Sequence, residues 1–330
     1  MASVLLGLLT GAAVGALMSR GTVCFNAGVR RAVFDHDSGI LRIFALAVGV
    51  QMLLLPALFF AGVDPLVRAV EEGQPALLPV AQVAGGLLFG IGMALAGGCI
   101  SGILWKTGAG SVATAAAVAG FAAGELSAQG PAHSVLSALQ SSAQPTESSV
   151  HGLLGMSYTA AALVLGLALV ALLVRRASRG ALAFGVGLGV LGALAWVAAA
   201  GSGYGYGLGF TGTAANVGDA IRTGEPRALS FEAFLALGVI LGASLAVRGP
   251  LRIPNGARGG RALAGGLLMG FGANLAIGCN IGHGLTGVPL LSLGSILTVA
   301  CMAAGALAAR RLLLIPFPTL AGVERPEPSW

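Results

Sequence analysis

Long hydrophobic segments alternate with short polar stretches along the whole chain. A helix that crosses a bilayer needs ~20 mainly apolar residues, with a range of about 17–25. Nine segments approach or reach that length, with the first, third and eighth at the short end. They cover about residues 3–19, 41–62, 80–98, 109–128, 151–174, 180–200, 229–247, 262–278 and 290–315. The pattern predicts an all-α polytopic membrane protein with about nine transmembrane helices.

The composition excludes an ordinary soluble domain. Of the 330 residues, 56% are hydrophobic and 9% are charged, and the mean hydropathy is +0.90. Soluble globular proteins carry about 25% charged residues. The first segment could be mistaken for a signal peptide, but it lacks a basic stretch before it, and no cleavage site of small residues is followed by soluble sequence. We therefore interpret it as a transmembrane helix.

The positive charges lie between the hydrophobic segments. Seventeen arginines and one lysine, Lys106, outweigh 12 acidic residues and give a formal net charge of +6. Counted over alternate loops, 15 positive residues fall on one side of the predicted membrane and 3 on the other. Because cytoplasmic loops are enriched in Lys and Arg, we expect the N-terminus in the periplasm and the C-terminus in the cytoplasm. This distribution indicates membrane topology and does not indicate binding to nucleic acid.

One stretch of the sequence occurs twice. Residues 84–99 and 264–279 are identical at 11 of 16 positions without a gap, and both are apolar, glycine-rich and end in Gly-Cys. Four hydrophobic segments precede a linking segment and four follow it, which would place the second copy upside down relative to the first. Inverted repeats are typical of transporters, with the substrate site at the repeat interface near the bilayer midplane. We expect a first repeat at 1–128, a linker loop with a connecting transmembrane helix at 129–179, and a second, inverted repeat at 180–330.

Each copy predicts a helix break at its cysteine, Cys99 or Cys279. Gly98 and Gly278 precede these cysteines, and glycine lets a helix stop and turn. If both helices break or re-enter there, the two cysteines reach the middle of the bilayer from opposite sides. Irregular backbone at that depth is tolerated only where it is buried in protein or lines a cavity. The alternative is that the cysteines are small hydrophobic side chains and the glycines only pack helices together.

Cys24, Asn280 and a glycine-rich run at 201–212 are further candidates for a substrate site. Cys24 follows the first hydrophobic segment, and the corresponding run in the second half has alternating glycines but no cysteine. Alternating glycines predict an unwound segment that lines a cavity; the alternative is a loop outside the membrane. Asn280 is a rare polar residue in an apolar region and directly follows Cys279, so we include it in the predicted site.

The remaining polar residues have simpler interpretations. Glu125 interrupts an apolar segment, and His283 could move protons or bind a metal but is more simply structural. Cys301 lies in an unbroken helix and is interpreted as part of the core. Arg30 and Arg31 mark the cytoplasmic edge or attract an anion. Since no cluster of Cys and His has the spacing of zinc ligands, we predict no metal, no cofactor and no catalytic residues.

Cysteines spaced along a narrow path favour a soft, sulfur-bearing anion. A thiol is a weak hydrogen-bond donor with a polarizable sulfur, and helix N-termini present partial positive charge. Many weak donors without a deep trap allow both entry and exit. A rival function is a membrane sulfurtransferase with a cysteine persulfide, which needs a thiolate stabilised by nearby positive charge. Only Gly, Ile, Ser and Asn adjoin Cys99 and Cys279 in the sequence, which weighs against that rival.

Three motifs carry a resemblance to a known family. They are Gly21-Thr22-Val23-Cys24-Phe25, the block from Gly85 to Gly102, and the block from Gly265 to Gly284. In these motifs the chain resembles the YeeE/YedE family of bacterial membrane proteins. The resemblance implies an hourglass-shaped protein of the inner membrane that takes up thiosulfate, with short helices entering from both sides.

The resemblance also implies roles for individual residues and a partner. Cys24, Cys99 and Cys279 would lie along the constricted path, and thiosulfate would pass by transient hydrogen bonds with their thiols. A small cytosolic TusA-like sulfur carrier often accompanies such proteins. Because some relatives are linked to selenium metabolism, sulfide, selenite or a related species remains an alternative substrate. We therefore predict a transporter and not an enzyme, with thiosulfate, the lipid bilayer and a TusA-like carrier as its partners.

Overall fold

The computed structural model describes residues 2–73, 75–141, 148–224, 229–247 and 249–313. Within these residues the chain is helical, with no β-strand beyond two isolated bridges, and a π-helix forms at Gly282–Gly287. The α-helices are α1 (Ala2–Arg20), α2 (Phe25–Phe34), α3 (Gly39–Phe60), α4 (Asp64–Glu71), α5 (Pro79–Ala96), α6 (Ile100–Gly108), α7 (Val112–Gln129), α8 (His133–Gln140), α9 (Val150–Leu153), α10 (Tyr158–Val174), α11 (Arg179–Ser202), α12 (Thr213–Thr223), α13 (Phe231–Ala246), α14 (Gly256–Leu275) and α15 (Leu293–Leu313). The predicted all-α class is confirmed.

Each predicted hydrophobic segment contains one long helix, namely α1, α3, α5, α7, α10, α11, α13, α14 or α15. In the described part of the chain, five stretches are long and apolar enough to cross a membrane: Ala2–Phe34, Gly39–Phe60, Pro79–Gly108, Arg179–Ser202 and Leu293–Arg311. The shorter helices α10 and α13 are also apolar. The protein is therefore a multi-pass helical membrane protein, and the count of nine spans stays a prediction.

Helix α14 begins earlier in the chain than hydropathy predicts. It starts at Gly256, within a polar stretch, whereas the hydrophobic segment starts at about 262. The side chain of Asn255 accepts a hydrogen bond from the backbone N–H of Arg258 (3.0 Å) and caps this polar first turn. N-terminal caps of this kind stabilise a helix independently of its hydrophobicity, which is why the hydropathy pattern does not detect the boundary.

The predicted linker between the halves is more structured than a loop. It contains α8, whose last residue, Gln140, donates hydrogen bonds to the carbonyls of Asn274 (2.8 Å) and Leu275 (3.3 Å) at the end of α14. Residues 142–147 of the linker and the C-terminal residues 314–330 lie outside the described residues.

The long helices form parallel pairs that join the two halves of the chain. α1 packs along α13, α11 along α3, α14 along α7 and α15 along α5. Gly11 and Gly15 of α1 lie against Leu235 and Val239 of α13, in the same order along both helices. Glycine contacts run in the same sense in the other three pairs. Small residues let helix backbones approach closely, which drives association of helices in membranes.

α5 and α14, the helices that carry the repeated sequence, pack directly on each other. Gly85 of α5 lies against Gly272 of α14, whereas Gly92 of α5 lies against Gly265 of α14. The order of contacts is reversed between the two helices, so they are antiparallel. The two copies of the repeat are therefore in contact and run in opposite directions.

Both of these helices end just before their cysteine, by the same arrangement of backbone hydrogen bonds. The N–H of Gly98 donates to the carbonyl of Met93 (3.1 Å), and the N–H of Gly278 donates to the carbonyl of Ala273 (2.8 Å). Such a bond, together with a left-handed residue, is the Schellman type of helix end. The helix break predicted at Gly-Cys is confirmed in both copies.

The left-handed residue at this helix end is Gly97 in the first copy and Ile277 in the second, with φ of 74° and 57°. A β-branched residue in this region is strained by about 1–3 kcal/mol, and the Ile277 side chain is 51% exposed, so its removal sacrifices little burial. We expect Ile277→Gly to raise the free energy of unfolding by about 1 kcal/mol, net of the entropic cost of glycine. Gly97→Ile should lower it by about 1–3 kcal/mol. Melting temperatures in detergent would measure both, and a lower melting temperature for Ile277→Gly would contradict the strain.

Candidate functional site

Each of the three predicted cysteines stands where a new helical segment begins. The carbonyl oxygens of Cys24, Cys99 and Cys279 each accept the first hydrogen bond of the following helix, at 2.8–2.9 Å. These helices are α2, α6 and the turns that lead into the π-helix. The free N–H groups and partial positive charge of a helix N-terminus therefore lie beside each thiol.

Cys24 and Cys99 lie together in the protein interior. Their sulfur atoms are 3.6 Å apart, and the two residues are 1% and 0% exposed. The hydroxyl of Ser101 lies 3.4 Å from the sulfur of Cys99. The fold thus brings together two predicted site residues that are 75 positions apart in the sequence.

Two buried side chains hold this thiol pair in place. The amide of Asn26, in the first turn of α2, donates to the carbonyl of Met93 in α5 (3.1 Å). The indole of Trp105, in α6, donates to the carbonyl of Val23 (3.2 Å), next to Cys24. These bonds fix the start of α2 against the two helices on either side of Cys99.

Lys106 caps the end of α5 beside the thiol pair. Side chains on a helix point back toward its N-terminus, and Lys106 follows Cys99 by seven residues along α6. Its Nζ therefore reaches back and donates to the carbonyl of Gly97 (2.8 Å), adjacent to Gly98.

Cys279 lies beside a cavity of about 410 Å³. Gly278 and Gly282, on either side of the cysteine, line this cavity. Cys279 itself is 0% exposed, and its sulfur accepts a hydrogen bond from the N–H of Gly282 (3.4 Å). The volume is typical of small-molecule sites. Among the described residues, the lining includes hydroxyl, amide and backbone groups and no charged side chain.

Asn280, the remaining predicted site residue, directly follows Cys279. It is 4% exposed, and neither atom of its amide has a hydrogen-bond partner within the described part of the chain. Buried polar groups are nearly always hydrogen-bonded. The amide of Asn280 is therefore available to a ligand or a bridging water.

His283 holds the helix break that precedes Cys279. Its ring is fully buried, with Nε2 3.0 Å from the carbonyl of Ala276 and Nδ1 3.0 Å from the hydroxyl of Ser295. Because a carbonyl only accepts, Nε2 carries the proton, and Nδ1 of the neutral ring accepts from Ser295. The ring also packs on Gly278, where an added Cβ would lie 2.6 Å from Nε2. These contacts favour the structural interpretation of His283.

The glycine-rich run forms a non-helical segment at 203–212, between α11 and α12. Its side chains Tyr204 and Tyr206 line the cavity next to Cys279. The hydroxyl of Tyr206 donates to the carbonyl of Gly282 (3.2 Å). The segment is unwound and lines a cavity, as its alternating glycines predict.

Two buried carboxylates anchor the unwound segment. Glu125 of α7 accepts hydrogen bonds from the N–H groups of Gly212 (2.7 Å) and Ala214 (2.9 Å), and so caps the start of α12. Glu232 of α13 accepts a hydrogen bond from the hydroxyl of Tyr204 (2.5 Å). The wall of the cavity is therefore tied to α7 and α13.

We expect Glu125→Gln to lower the free energy of unfolding by about 1–3 kcal/mol. The amide keeps one acceptor oxygen where the carboxylate has two, and it loses the favourable interaction of a negative charge with the N-terminus of α12. The melting temperature in detergent would measure the change. Glu72→Gln, at an exposed position after α4, is the matched control. Equal melting temperatures for the two variants would contradict the anchoring role.

The remaining candidates lie away from the thiols. Cys301 is in the unbroken helix α15 and contacts α5. It is only partly buried, whereas the sequence predicts a place in the core. Arg30 and Arg31 form ion pairs with Asp35 (3.0 Å) and Asp37 (2.8 Å). These aspartates already supply the negative charge that the arginines would otherwise attract.

Sequence reasoning missed three side chains of the site: Lys106, Tyr204 and Glu232. A signal for Lys106 was available, because a spacing of seven residues places it on the same face of a helix as Cys99. Tyr204 stands out within the glycine run. No sequence signal marks Glu232, since its partner Tyr204 comes from a different segment.

Comparison with known proteins agrees with the family resemblance. A family described as sulphur transport matches residues 20–185 and 175–308. The chain is 34% identical over 316 residues to the thiosulfate transporter TsuA of Spirochaeta thermophila. That alignment covers 88% of this chain and 92% of the relative. It is 27% identical over 310 residues to the thiosulfate transporter TsuA of Escherichia coli, covering 86% of each. The resemblance is thereby confirmed, and the chain belongs to the YeeE/YedE family of sulphur-transport proteins.

Proposed function

We propose that this protein takes up thiosulfate across the bacterial inner membrane through a narrow path lined by cysteine thiols. The observation that carries the proposal is the contact of Cys24 with Cys99, whose buried sulfur atoms lie 3.6 Å apart at the starts of α2 and α6. Two helix N-termini and two thiols meet there, which suits a soft anion. The names of the two relatives support thiosulfate as the ion.

We infer that the halves, at about 1–128 and 180–330, are inverted repeats joined by α10. In chain order, α1, α3, α5 and α7 of the first half correspond to α11, α13, α14 and α15 of the second. The helix pairing supports the inference, because this correspondence turns the pair α1–α13 into α11–α3 and the pair α7–α14 into α15–α5. An axis in the membrane plane reverses one copy relative to the other, and the antiparallel contact of α5 with α14 agrees with that. The distribution of positive charge supports nine crossings with a periplasmic N-terminus, and the family resemblance implies an hourglass shape.

The proposed path runs from the cavity beside Cys279 to the pair Cys24–Cys99. An unaided dianion would face a prohibitive loss of hydration in the membrane. The amide of Asn280, the thiols and the helix N-termini replace part of that hydration with donors. Because each of these donors is weak, none of them alone traps the ion.

Transient hydrogen bonding leaves both the ion and the thiols unchanged. The cysteines act as successive contacts and form no lasting covalent bond, so the protein is a transporter and not an enzyme. A cytosolic TusA-like sulfur carrier is the proposed recipient on the inner side.

Flux of radiolabelled thiosulfate into proteoliposomes tests the proposal. We expect saturable uptake that unlabelled thiosulfate suppresses more strongly than sulfate, sulfide or selenite does. Comparison with and without a proton gradient would identify the driving force. Uptake no greater than in protein-free vesicles would contradict the proposal, and stronger competition by sulfide or selenite would assign another species. A cysteine persulfide found by mass spectrometry after turnover would favour a sulfurtransferase.

A further inference from the structure

We propose that Lys106 is an anion-binding residue, whose ammonium attracts and holds the transported ion at the pair Cys24–Cys99. The proposal deepens the proposed function and rests on it, because the ion that Lys106 would bind is the one that passes the thiols. Lys106 is the single lysine among the 330 residues of the chain.

The geometry brings the ammonium to the helix break directly before Cys99. Lys106 lies near the end of α6, but its side chain runs back along the helix, so Nζ reaches the carbonyl of Gly97 (2.8 Å). An added Cβ on Gly98 would lie 3.4 Å from Nζ, and Gly98 is bonded directly to Cys99. The Lys106 side chain is half-buried, so the charge is partly shielded from water and acts more strongly on a neighbouring anion.

The ammonium of Lys106 has more N–H groups than the hydrogen bond to Gly97 uses. It carries three N–H groups, and the carbonyl of Gly97 takes one of them. In the described part of the chain, the ion pairs join arginines to aspartates, and Lys106 takes part in none of them. The ring of Trp105, whose centroid lies 5.7 Å from Nζ, offers only partial compensation. A half-buried cation without a carboxylate is well placed to receive an anion.

The second half of the protein shows that the capping role alone needs no charge. There the helix end before Cys279 is capped by His283, whose neutral ring donates to the carbonyl of Ala276 (3.0 Å). Both side chains therefore hold a helix break by donating to a carbonyl at the end of the glycine-rich helix. Only Lys106 adds a full positive charge, and it adds that charge at the helix break before Cys99.

Three variants separate the charge from the capping bond. Lys106→Gln keeps an N–H donor without the charge, Lys106→Arg keeps the charge, and Lys106→Met removes both. In thiosulfate flux measurements we expect Lys106→Gln to raise KM about tenfold with little change in the maximal rate. Lys106→Arg should recover most of the affinity, and Lys106→Met should also lower the melting temperature.

Arg258→Gln, which removes an exposed positive charge near the start of α14, is the matched control and should leave KM unchanged. A KM of Lys106→Gln equal to that of the unaltered protein would overturn the proposal. So would an equal rise in KM for Arg258→Gln, because the effect would then reflect net surface charge.

A second measurement does not depend on the identity of the substrate. Anionic and cationic methanethiosulfonate reagents of similar size can be compared for their rates of modifying Cys24 and Cys99, in a Cys279→Ala, Cys301→Ala background. We expect the anionic reagent to react several-fold faster, and Lys106→Gln to remove that preference. An unchanged preference in Lys106→Gln, or no reaction of either thiol with either reagent, would overturn the proposal. If the preference is lost in Lys106→Gln but the unaltered protein carries no thiosulfate, the anion site stands and the substrate assignment fails.

Discussion

Cys279→Ala is expected to lower thiosulfate uptake by about 5- to 150-fold and to abolish or sharply reduce growth on thiosulfate as the sole sulfur source. The cysteine is fully buried, next to a cavity that has no charged side chain in its described lining. Its sulfur already accepts from the N–H of Gly282 (3.4 Å), which leaves the S–H free to donate to the ion. Loss of one buried donor along a path of weak contacts costs about 1–3 kcal/mol. Cys24→Ala and Cys99→Ala should have effects of the same size.

Cys301→Ala provides the matched control for this series. Cys301 lies in an unbroken helix and contacts α5 away from the other thiols, so its replacement should leave growth and uptake close to those of the unaltered protein. Growth assays in a strain without its own thiosulfate uptake, at equal expression in the membrane, would measure all four variants. Normal uptake by Cys279→Ala or Cys99→Ala would contradict the cysteine-lined path.

The sequence predicts the helix breaks because their cause is local. Glycines before Cys99 and Cys279 allow the backbone to turn, and the repeat shows that the turn occurs twice. The same backbone bonds, from Gly98 and from Gly278, close both helix ends. A local pattern that occurs twice is therefore enough to locate two of the three thiols at the starts of new helices.

The contacts between these segments could not be predicted, because they depend on packing. Cys24 and Cys99 are 75 residues apart, and their 3.6 Å contact requires α2, α5 and α6 to be in place. The bond from Glu125 to Gly212 spans 87 residues and sets the start of α12. Hydropathy identifies α5 and α7, but α2, α6 and α12 fall in stretches that it assigns to loops. It also gives no information about which faces of the helices meet.

The two helix breaks share an arrangement of backbone hydrogen bonds but differ in the charge near them. The cavity at Cys279 has hydroxyl, amide and backbone groups in its described lining, whereas the thiol pair of the first half has Lys106 beside it. A neutral site admits an anion weakly, and a cation farther along holds it more strongly. Such a difference gives the proposed path a direction of increasing attraction even though the two helix breaks are alike.

Mild oxidation is expected to join Cys24 and Cys99 in a disulfide and to reduce thiosulfate flux nearly to background. A disulfide bond is about 2.05 Å long, so two sulfur atoms that start 3.6 Å apart need only a small approach. Diamide, a small neutral oxidant, would accept two electrons and both thiol protons and become the hydrazine. The disulfide removes two S–H donors and fixes the starts of α2 and α6 together. Reduction with dithiothreitol should restore the flux, since it regenerates both thiols.

The Cys301→Ala background keeps this experiment specific, because it leaves Cys279 as the single thiol outside the pair. In that background, mass spectrometry should find the peptide of Cys24 linked to the peptide of Cys99 and Cys279 still free. A link between Cys279 and either member of the pair would contradict the arrangement, because no hydrogen bond joins Cys279 to these thiols among the described residues. Flux that persists after the pair is fully oxidised would contradict it as well: an ion that passes a cross-linked pair does not need their S–H groups.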